Sequence, residues 1–414
     1  MTSFSIQSFG CRVNQAEAFA WANTLQSHGL VYRPEPLGGD IVLVNTCTLT
    51  SRADRDVRNF LNKLARANPD ARVVVTGCYS ERVRDDLFNR QQVWKVFANA
   101  EKEDLPARIL EGLDSGERAQ IRPFRSRALV KIQDGCDFRC SFCIIPDVRG
   151  KSRSLPREKI LAQVREYVRQ GYKEIVLTGI HLCSYGKDRP KKDTLVGLLH
   201  DLEGIKGLGR VRLSSLDPRF LDQDLCDCIA GSPVVCPHFH ISLQHGSDDV
   251  LRLMRRKISV ADYRRKLDDI YRRIPGVSLG ADIIVGFPGE TKKDFESLCD
   301  FLDRSPLSYV HVFSYSPRPG TPAAVWEQVG ENIKKERAAR LRALSKKKNL
   351  DFRHKLLGSV WDGIVIKQKN GFFQILTSNY VSVRVPSCSA GERGRVSVKI
   401  TGISGNTTTG HVVA

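Results

Sequence analysis

No stretch of this 414-residue chain approaches the roughly 18 apolar residues that a membrane span needs. The opening residues, Met1-Thr-Ser-Phe-Ser-Ile-Gln7, carry neither the basic patch nor the apolar core of a secretory leader. Twelve cysteines are therefore not expected to form a disulfide framework, and a cytoplasmic chain with no membrane partner is the expectation. Internal repeats and low-complexity segments are missing as well. Acidic residues are in deficit, 46 against 65 Lys and Arg, which leaves a net charge of +19. So basic a chain usually meets a polyanion, nucleic acid being the commonest. Hydrophobic residues at 41% and charged residues at 27% otherwise describe an ordinary globular protein of two or three domains.

What is present centres on Asp134-Gly-Cys-Asp-Phe-Arg-Cys-Ser-Phe-Cys143, where Cys136, Cys140 and Cys143 have the spacing C-x3-C-x2-C. Three thiolates on one tight loop can hold an iron–sulfur cluster but cannot saturate four irons. The unsaturated iron is where a small molecule can bind and receive an electron. A structural zinc site would need four closed ligands, usually as two C-x2-C knuckles. No second knuckle follows, and no histidine lies near at a finger-like spacing.

Residues 1–122 alternate strand-like runs (4–9, 40–45, 71–76) with helix-like stretches (15–28, 54–67), the pattern of a parallel sheet covered by helices. Each run leads straight into a cysteine: Cys11, Cys47 and Cys78. Ligand sites in open parallel sheets collect beyond the carboxyl ends of the strands, so these thiols can converge on a second metal cluster. Residues 123–348 add six strand candidates (128–133, 174–178, 210–215, 238–244, 279–285, 309–315) separated by helices. A partial (β/α)6 barrel is expected, with its site at the strand carboxyl ends. A very basic helix, 331–355, follows. From 349 to 414 the period changes to two, over 360–367, 372–377, 381–385 and 395–402, which reads as a small antiparallel β-barrel. Residues 351–414 hold eight Lys or Arg against three acids, and small basic barrels commonly bind RNA.

The open-iron loop, the partial barrel and the cysteines together resemble the radical S-adenosylmethionine superfamily. Gly10-Cys-Arg-Val-Asn-Gln-Ala-Glu17, Val44-Asn-Thr-Cys-Thr48, Val75-Thr-Gly-Cys-Tyr79, Asp282-Ile-Ile-Val-Gly-Phe-Pro-Gly-Glu290 and Phe313-Ser-Tyr-Ser-Pro-Arg-Pro-Gly-Thr-Pro322 narrow the resemblance to its methylthiotransferases. The resemblance covers essentially the whole chain. It implies a first 4Fe-4S cluster on Cys136, Cys140 and Cys143 that cleaves S-adenosylmethionine to a carbon radical. It implies a second 4Fe-4S cluster on Cys11, Cys47 and Cys78 that carries the sulfur, and a C-terminal TRAM domain that binds RNA. The wording Gly-Cys-Arg-Val-Asn-Gln resembles the branch acting on threonylcarbamoyladenosine at tRNA position 37. The isopentenyladenosine and ribosomal-protein branches usually read Gly-Cys-Gln-Met-Asn and Gly-Cys-Pro-Lys-Asn there.

On this resemblance the partner is the anticodon stem-loop of ANN-decoding tRNAs, fed by a flavodoxin- or ferredoxin-type reductant, and the chain is a monomer. Two S-adenosylmethionine molecules are used per methylthio group placed on adenine carbon 2. A modification of isopentenyladenosine or of a ribosomal protein, or a non-catalytic cluster-containing RNA-binding protein, are the alternatives. Asn379-Tyr380 and the basic barrel fit an RNA substrate. Thr178, Gly179, Ser214, Ser215, Gln244 and Asp282, at or near strand ends, are the candidate S-adenosylmethionine contacts, with capping or packing as the competing role. Arg219 suits a phosphate, a carboxylate or a surface salt bridge. His181, His240 and His245 read as structural, and Cys226, Cys228, Cys236, Cys299 and Cys388 as free thiols. Cys183 stands where relatives commonly have a small residue, with an accessory ligand role as the rarer alternative.

Overall fold

Short β-branched runs feeding amphipathic helices build the amino-terminal part of the chain. In chain order they are Ser3–Ser8 (β1), Arg12–Ser27 (α1), Val31–Tyr32 (β2), Ile41–Thr46 (β3), Ser51–Ala67 (α2), Arg72–Gly77 (β4), Arg84–Phe88 (α3), Val93–Phe97 (β5) and Leu105–Leu110 (α4). The computed structural model describes residues 1–111, 113, 125–189, 193–386 and 394–413; Cys388 lies outside them. The strands form one parallel sheet in the order β2-β1-β3-β4-β5. The edge strands β2 and β5 were not foreseen, because β2 is two residues long and the five-residue β5 is interrupted by Lys95. Helix α2 starts where Thr50 caps the Ala53 amide, and its Val57, Leu61 and Leu64 pack on one sheet face with Val42, Val44, Val73 and Val75. Phe4, Trp21, Leu25 and Ile41 fill the other face.

Two compact units interleave along the sequence. Leu129–Arg153 and Ser316–Ala324 pack with Met1–Phe124, while Arg125–Ala128, Ser154–Tyr315 and Val325–Ala414 form the second unit. The first unit therefore also takes in most of Ala128–Asp134 (β6), the cysteine loop, and Ile145–Arg149 (α5). After Arg153–Ser154 (β7), the chain runs through Arg157–Arg169 (α6), Glu174–Gly179 (β8), Leu195–Glu203 (α7), Arg210–Leu213 (β9), Ser215–Leu216 (β10), Gln223–Gly231 (α8), His238–Ile241 (β11), Asp248–Leu253 (α9), Val260–Arg273 (α10), Ser278–Val285 (β12), Lys292–Arg304 (α11), Tyr309–Ser314 (β13) and Glu331–His354 (α12). Strand β8 pairs in parallel with β9, and β10-β11-β12-β13 form a parallel sheet. The run expected as one strand over 210–215 breaks at Ser214. The run over 238–244 stops at Ile241, and Gln244 takes a left-handed φ of 84° before pairing with Ile283.

Five strands close the C-terminal barrel: Val360–Lys369 (β14), Phe372–Thr377 (β15), Ser382–Pro386 (β16), Arg395–Ser404 (β17) and Thr407–Val413 (β18), in the order β14-β15-β16-β18-β17. The fifth strand, Thr407–Val413, was not expected; its Thr-rich pattern follows the Gly405-Asn406 turn. Val365, Phe373, Ile375, Val383, Val398 and Ile400 fill the interior.

Buried charge ties this barrel to the parallel strands of its unit. Glu174, at the start of β8, accepts from Arg210 Nε at 2.6 Å, Arg212 Nε at 2.9 Å and Arg127 at 3.3 Å. Arg210 also donates to the Asp362 carboxylate and the Leu376 carbonyl, and Arg212 to the carbonyls of Thr377 and Ser378. Asn379 and Tyr380, expected to suit an RNA surface, turn inward. Asn379 is fully buried and donates to the Gly276 carbonyl, while Tyr380 stacks on His238 at 4.1 Å and lies 5.1 Å from the Arg212 guanidinium. The basic helix α12 is likewise partly internal. Arg337 donates to Glu290, Arg340 grips both Glu296 oxygens, and Lys334 is buried with Gly286 against its stem.

Candidate metal centre

Cys11, Cys47 and Cys78 follow β1, β3 and β4, three adjacent strands. Between β1 and β3 the strand order reverses, which is where ligands of open α/β sheets collect. The thiols lie within electrostatic range of one another. Burial raises Cys11 and pushes Cys47 up to about 12, so a proton stays on these sulfurs until a cation replaces it. Gly10, with φ of 84°, lets the sulfur in: a Cβ there would overlap Cys47 Sγ. Three soft donors in a cradle that excludes even a methyl group fit an iron–sulfur cluster.

The C-x3-C-x2-C loop leaves β6 through a braced corner. Gln133 Nε2 donates to the carbonyls of Asp134 and Gly135 at 2.9 and 2.8 Å, and Gly135 N donates to Asp134 Oδ1 at 2.8 Å. Gly135 has φ of 70°, and a Cβ there would overlap the Lys151 carbonyl. Cys136 N donates to the Gly150 carbonyl and Cys143 N to the Cys140 carbonyl, each at 3.1 Å. Cys140 is buried while Cys136 and Cys143 are half-buried, so the loop holds its thiols at a surface a small molecule can reach.

One guanidinium joins the two cysteine sets. Arg149, wholly buried at the end of α5, donates from Nε to Cys78 Sγ at 3.3 Å. Its other nitrogens donate to Asp134 Oδ1 at 2.7 Å, to Glu17 Oε1 at 3.1 Å and to Asn14 Oδ1. Asp134 lies two residues before Cys136, and Asn14 and Glu17 lie on α1 directly after Cys11. Lys102 and Lys131 complete the network with bonds of 2.6 and 3.2 Å to Glu17. Burial alone would raise Glu17, but Arg149, Lys102 and Lys131 outweigh it and hold the carboxyl well below the usual range. Sequence reasoning missed Arg149 and Glu17, since no spacing rule marks a charge-compensating partner.

The segment Ser316–Ala324 braces both loops. Arg318 donates to Thr48 Oγ1 at 2.9 Å and to Asp54, beside Cys47, and Ala323 N donates to the Ser141 carbonyl, between Cys140 and Cys143. The Pro-Arg-Pro-Gly-Thr wording is thereby explained as a clamp within this unit.

In the second unit Thr178 is buried at the end of β8 and Gly179 is half-buried; Ser214 and Ser215 are half-buried at the β9–β10 break. Gln244 exchanges backbone bonds with Asp282 and Ile284 on β12. Asp282 itself lies mid-strand, three residues short of Val285, between His240 and His311. These three side chains place one donor atom each within 4.8 Å of one another, a grouping that sequence reading missed because His311 stood alone on its strand. Arg219 is no surface residue: it binds both oxygens of buried Asp217, which Arg256 and His181 also face. Burial pushes the Cys183 thiol up to about 12, in keeping with a packed thiol. His245 is buried against Glu290. Cys226, Cys228, Cys236 and Cys299 are free thiols.

Residues 130–302 match the Radical SAM superfamily, and residues 3–98 match the uncharacterized protein family UPF0004. The threonylcarbamoyladenosine tRNA methylthiotransferase of Aquifex aeolicus is 36% identical over 92% of this chain and 96% of its own length. That of Rickettsia prowazekii is 40% identical over 81% of each. Among solved structures, the radical S-adenosylmethionine methyltransferase TsrM of Kitasatospora setae superposes with a TM-score of 0.56 at 15% identity, over 78% of this chain and 77% of its own. That likeness establishes the α/β radical-SAM fold with its parallel sheets.

Proposed function

This chain belongs to the radical S-adenosylmethionine methylthiotransferases, a family of transferases, and from that premise we propose that it places a methylthio group on carbon 2 of threonylcarbamoyladenosine 37 in tRNA. The family brings a 4Fe-4S cluster and S-adenosylmethionine, which supply a carbon radical able to take hydrogen from an unactivated C–H bond. Cys136, Cys140 and Cys143 would hold that cluster, and Cys11, Cys47 and Cys78 a second one. Thr178, Gly179, Ser214 and Ser215, at strand ends, and Gln244, bridged to β12, would contact S-adenosylmethionine.

The observation that carries the reading is the Arg149 bridge. Its guanidinium binds Cys78, the α1 residues behind Cys11, and Asp134 at the root of the other cysteine loop. Two independent metal sites would need no shared, fully buried cation, whereas two centres working on one substrate need a fixed mutual position. Arg149 and its carboxylates fix the loops; Gly10 keeps a side chain away from the Cys47 sulfur and Gly135 lets the loop corner close on the Lys151 carbonyl; Arg318 locks the outer edge.

An RNA substrate is supported by the barrel surface. Lys367, Gln374 and Arg384 stand in one cross-strand row, and Lys369 and Phe372 in the next. The Arg384 guanidinium lies 3.7 Å from the centre of the Phe372 ring. Cations beside an aromatic face suit a looped RNA strand, and this is the role of a TRAM domain. The reading carries with it a cytoplasmic monomer, an anticodon stem-loop of ANN-decoding tRNAs, and a flavodoxin- or ferredoxin-type reductant.

Nucleoside mass spectrometry of tRNA from a deletion strain tests the reading. The methylthio-threonylcarbamoyladenosine peak should vanish; its persistence would rule the substrate out. Anaerobic reconstitution should load about eight irons per chain, four for each three-cysteine site. Zinc, or four irons alone, would defeat the two-cluster assignment.

A further inference from the structure

The geometry points to His240, Asp282 and His311 as the recognition site for a polar, carboxylate-bearing substituent on the substrate base. The inference rests on the reading that the base is threonylcarbamoyladenosine. Strands β11, β12 and β13 are adjacent and parallel, with His240 opposite Gly280 and Asp282 opposite His311. All three side chains therefore share one sheet face. His240 Nε2 lies 3.0 Å and His311 Nδ1 3.4 Å from the same oxygen, Asp282 Oδ1, and the two rings stack at 4.9 Å.

The two imidazoles have different tasks. His240 is held on both sides, since its Nδ1 faces the Tyr309 hydroxyl at 3.4 Å. That locks its tautomer and makes it a support for Asp282. His311, with 56% of its side chain exposed, meets Asp282 through Nδ1 and leaves Nε2 outside that contact; the Asp282 side chain is 27% exposed, and both histidines meet the same one of its oxygens. Burial would raise Asp282, but hydrogen bonds from His240 and His311 outweigh it and keep the carboxyl below its usual range. The cluster thus offers an anionic acceptor and an imidazole nitrogen side by side. A ureido N–H or hydroxyl satisfies the first; a carboxylate satisfies the second when the ring carries both protons, Nδ1–H toward Asp282 and Nε2–H toward the substrate.

Two residues further along the same strands, Ile284 and Phe313 stand opposite each other, and Phe313 is 45% exposed. The spacing is about 6.6 Å along a strand. An adenine stacked on Phe313 would carry its substituent toward His311 and Asp282. An isopentenyl group there would offer no partner to the second Asp282 oxygen or to His311 Nε2, and sites built to hydrogen-bond a substrate reject analogues that lack the partner.

The test uses the reconstituted enzyme with anticodon stem-loops bearing threonylcarbamoyladenosine, its methyl ester, or isopentenyladenosine at position 37. For the natural protein, kcat/KM on the free acid should exceed that on the ester by about ten- to a hundredfold, the worth of one charged hydrogen bond. His311→Phe should collapse that ratio toward one, mostly through KM, and Asp282→Asn should raise the relative rate on isopentenyladenosine. A His311→Phe enzyme that still prefers the acid as strongly as the natural one overturns the inference and leaves the proposed function standing. A natural enzyme that prefers isopentenyladenosine overturns both.

Discussion

Arg149 Nε lies 3.3 Å from Cys78 Sγ, although 71 positions separate the two in sequence. The guanidinium is completely buried and satisfies Glu17 and Asp134 at the same time. Arg149→Met should therefore leave Glu17 and Asp134 to Lys102 and Lys131 alone and cost about 3 kcal/mol, the lower end for a broken buried pair. Arg149→Lys keeps the charge but not the planar fork, and should cost less. Denaturant unfolding of the metal-free chain gives both values, and iron content after reconstitution should fall in the same order.

Glu174 sets an acid limit for the second unit. Burial raises its carboxyl, but Arg212, Arg210 and Arg127 outweigh that and hold it far below the usual range. A depressed folded value means the contribution is whole above the unfolded value of about 4.3 and drains away as pH falls below it. Glu174→Gln should be less stable than the natural chain at neutral pH, by about 3–5 kcal/mol. The gap should narrow steadily from pH 5 toward pH 3. A gap that widened on acidification would contradict the assignment.

Gly135→Ala asks a left-handed corner to take a Cβ that meets the Lys151 carbonyl. Gly10→Ala does the same against Cys47 Sγ. Each should remove about four irons per chain while the other site still loads. Iron analysis with electron paramagnetic resonance separates the two losses, and loss of both clusters from either change would show that the sites do not fill independently.

The barrel surface and its inward loop should respond oppositely. Lys369→Gln with Arg384→Gln should weaken tRNA binding and flatten its salt dependence by about 1.4, roughly 0.7 for each single-strand phosphate contact. Stability should shift by no more than about 0.5 kcal/mol. Tyr380→Gly removes the stack on His238 and the Arg212 contact and should cost about 1–2 kcal/mol. Filter binding against ionic strength and thermal unfolding distinguish a surface role from a packing role.

The helix-strand alternation, the C-terminal barrel and the placement of Cys11, Cys47 and Cys78 directly after parallel strands were legible in the chain itself. Spacing and strand-end position are local properties, and C-x3-C-x2-C or a cysteine directly after a β-branched run is set by neighbours in sequence. Family wording marked the Pro-Arg-Pro-Gly-Thr segment and the likeness to the threonylcarbamoyladenosine tRNA methylthiotransferases as well. Edge strands β2 and β5 and the barrel strand β18 escaped because short or half-polar strands are defined by the neighbours they pair with.

Only tertiary packing decided how the charges are used. Nothing in Asp147-Val-Arg-Gly150 says that Arg149 reaches a thiol far back in the chain, or that Arg318 clamps Thr48 and Asp54. Asn379 and Tyr380 look outward by composition and pack inward, since a buried Arg212 and His238 await them. His311 means little until parallel register sets it beside Asp282. Local sequence carries the ligands of a metal site. The compensation of buried charge depends on which distant groups are brought out of water together, and that is a property of the fold.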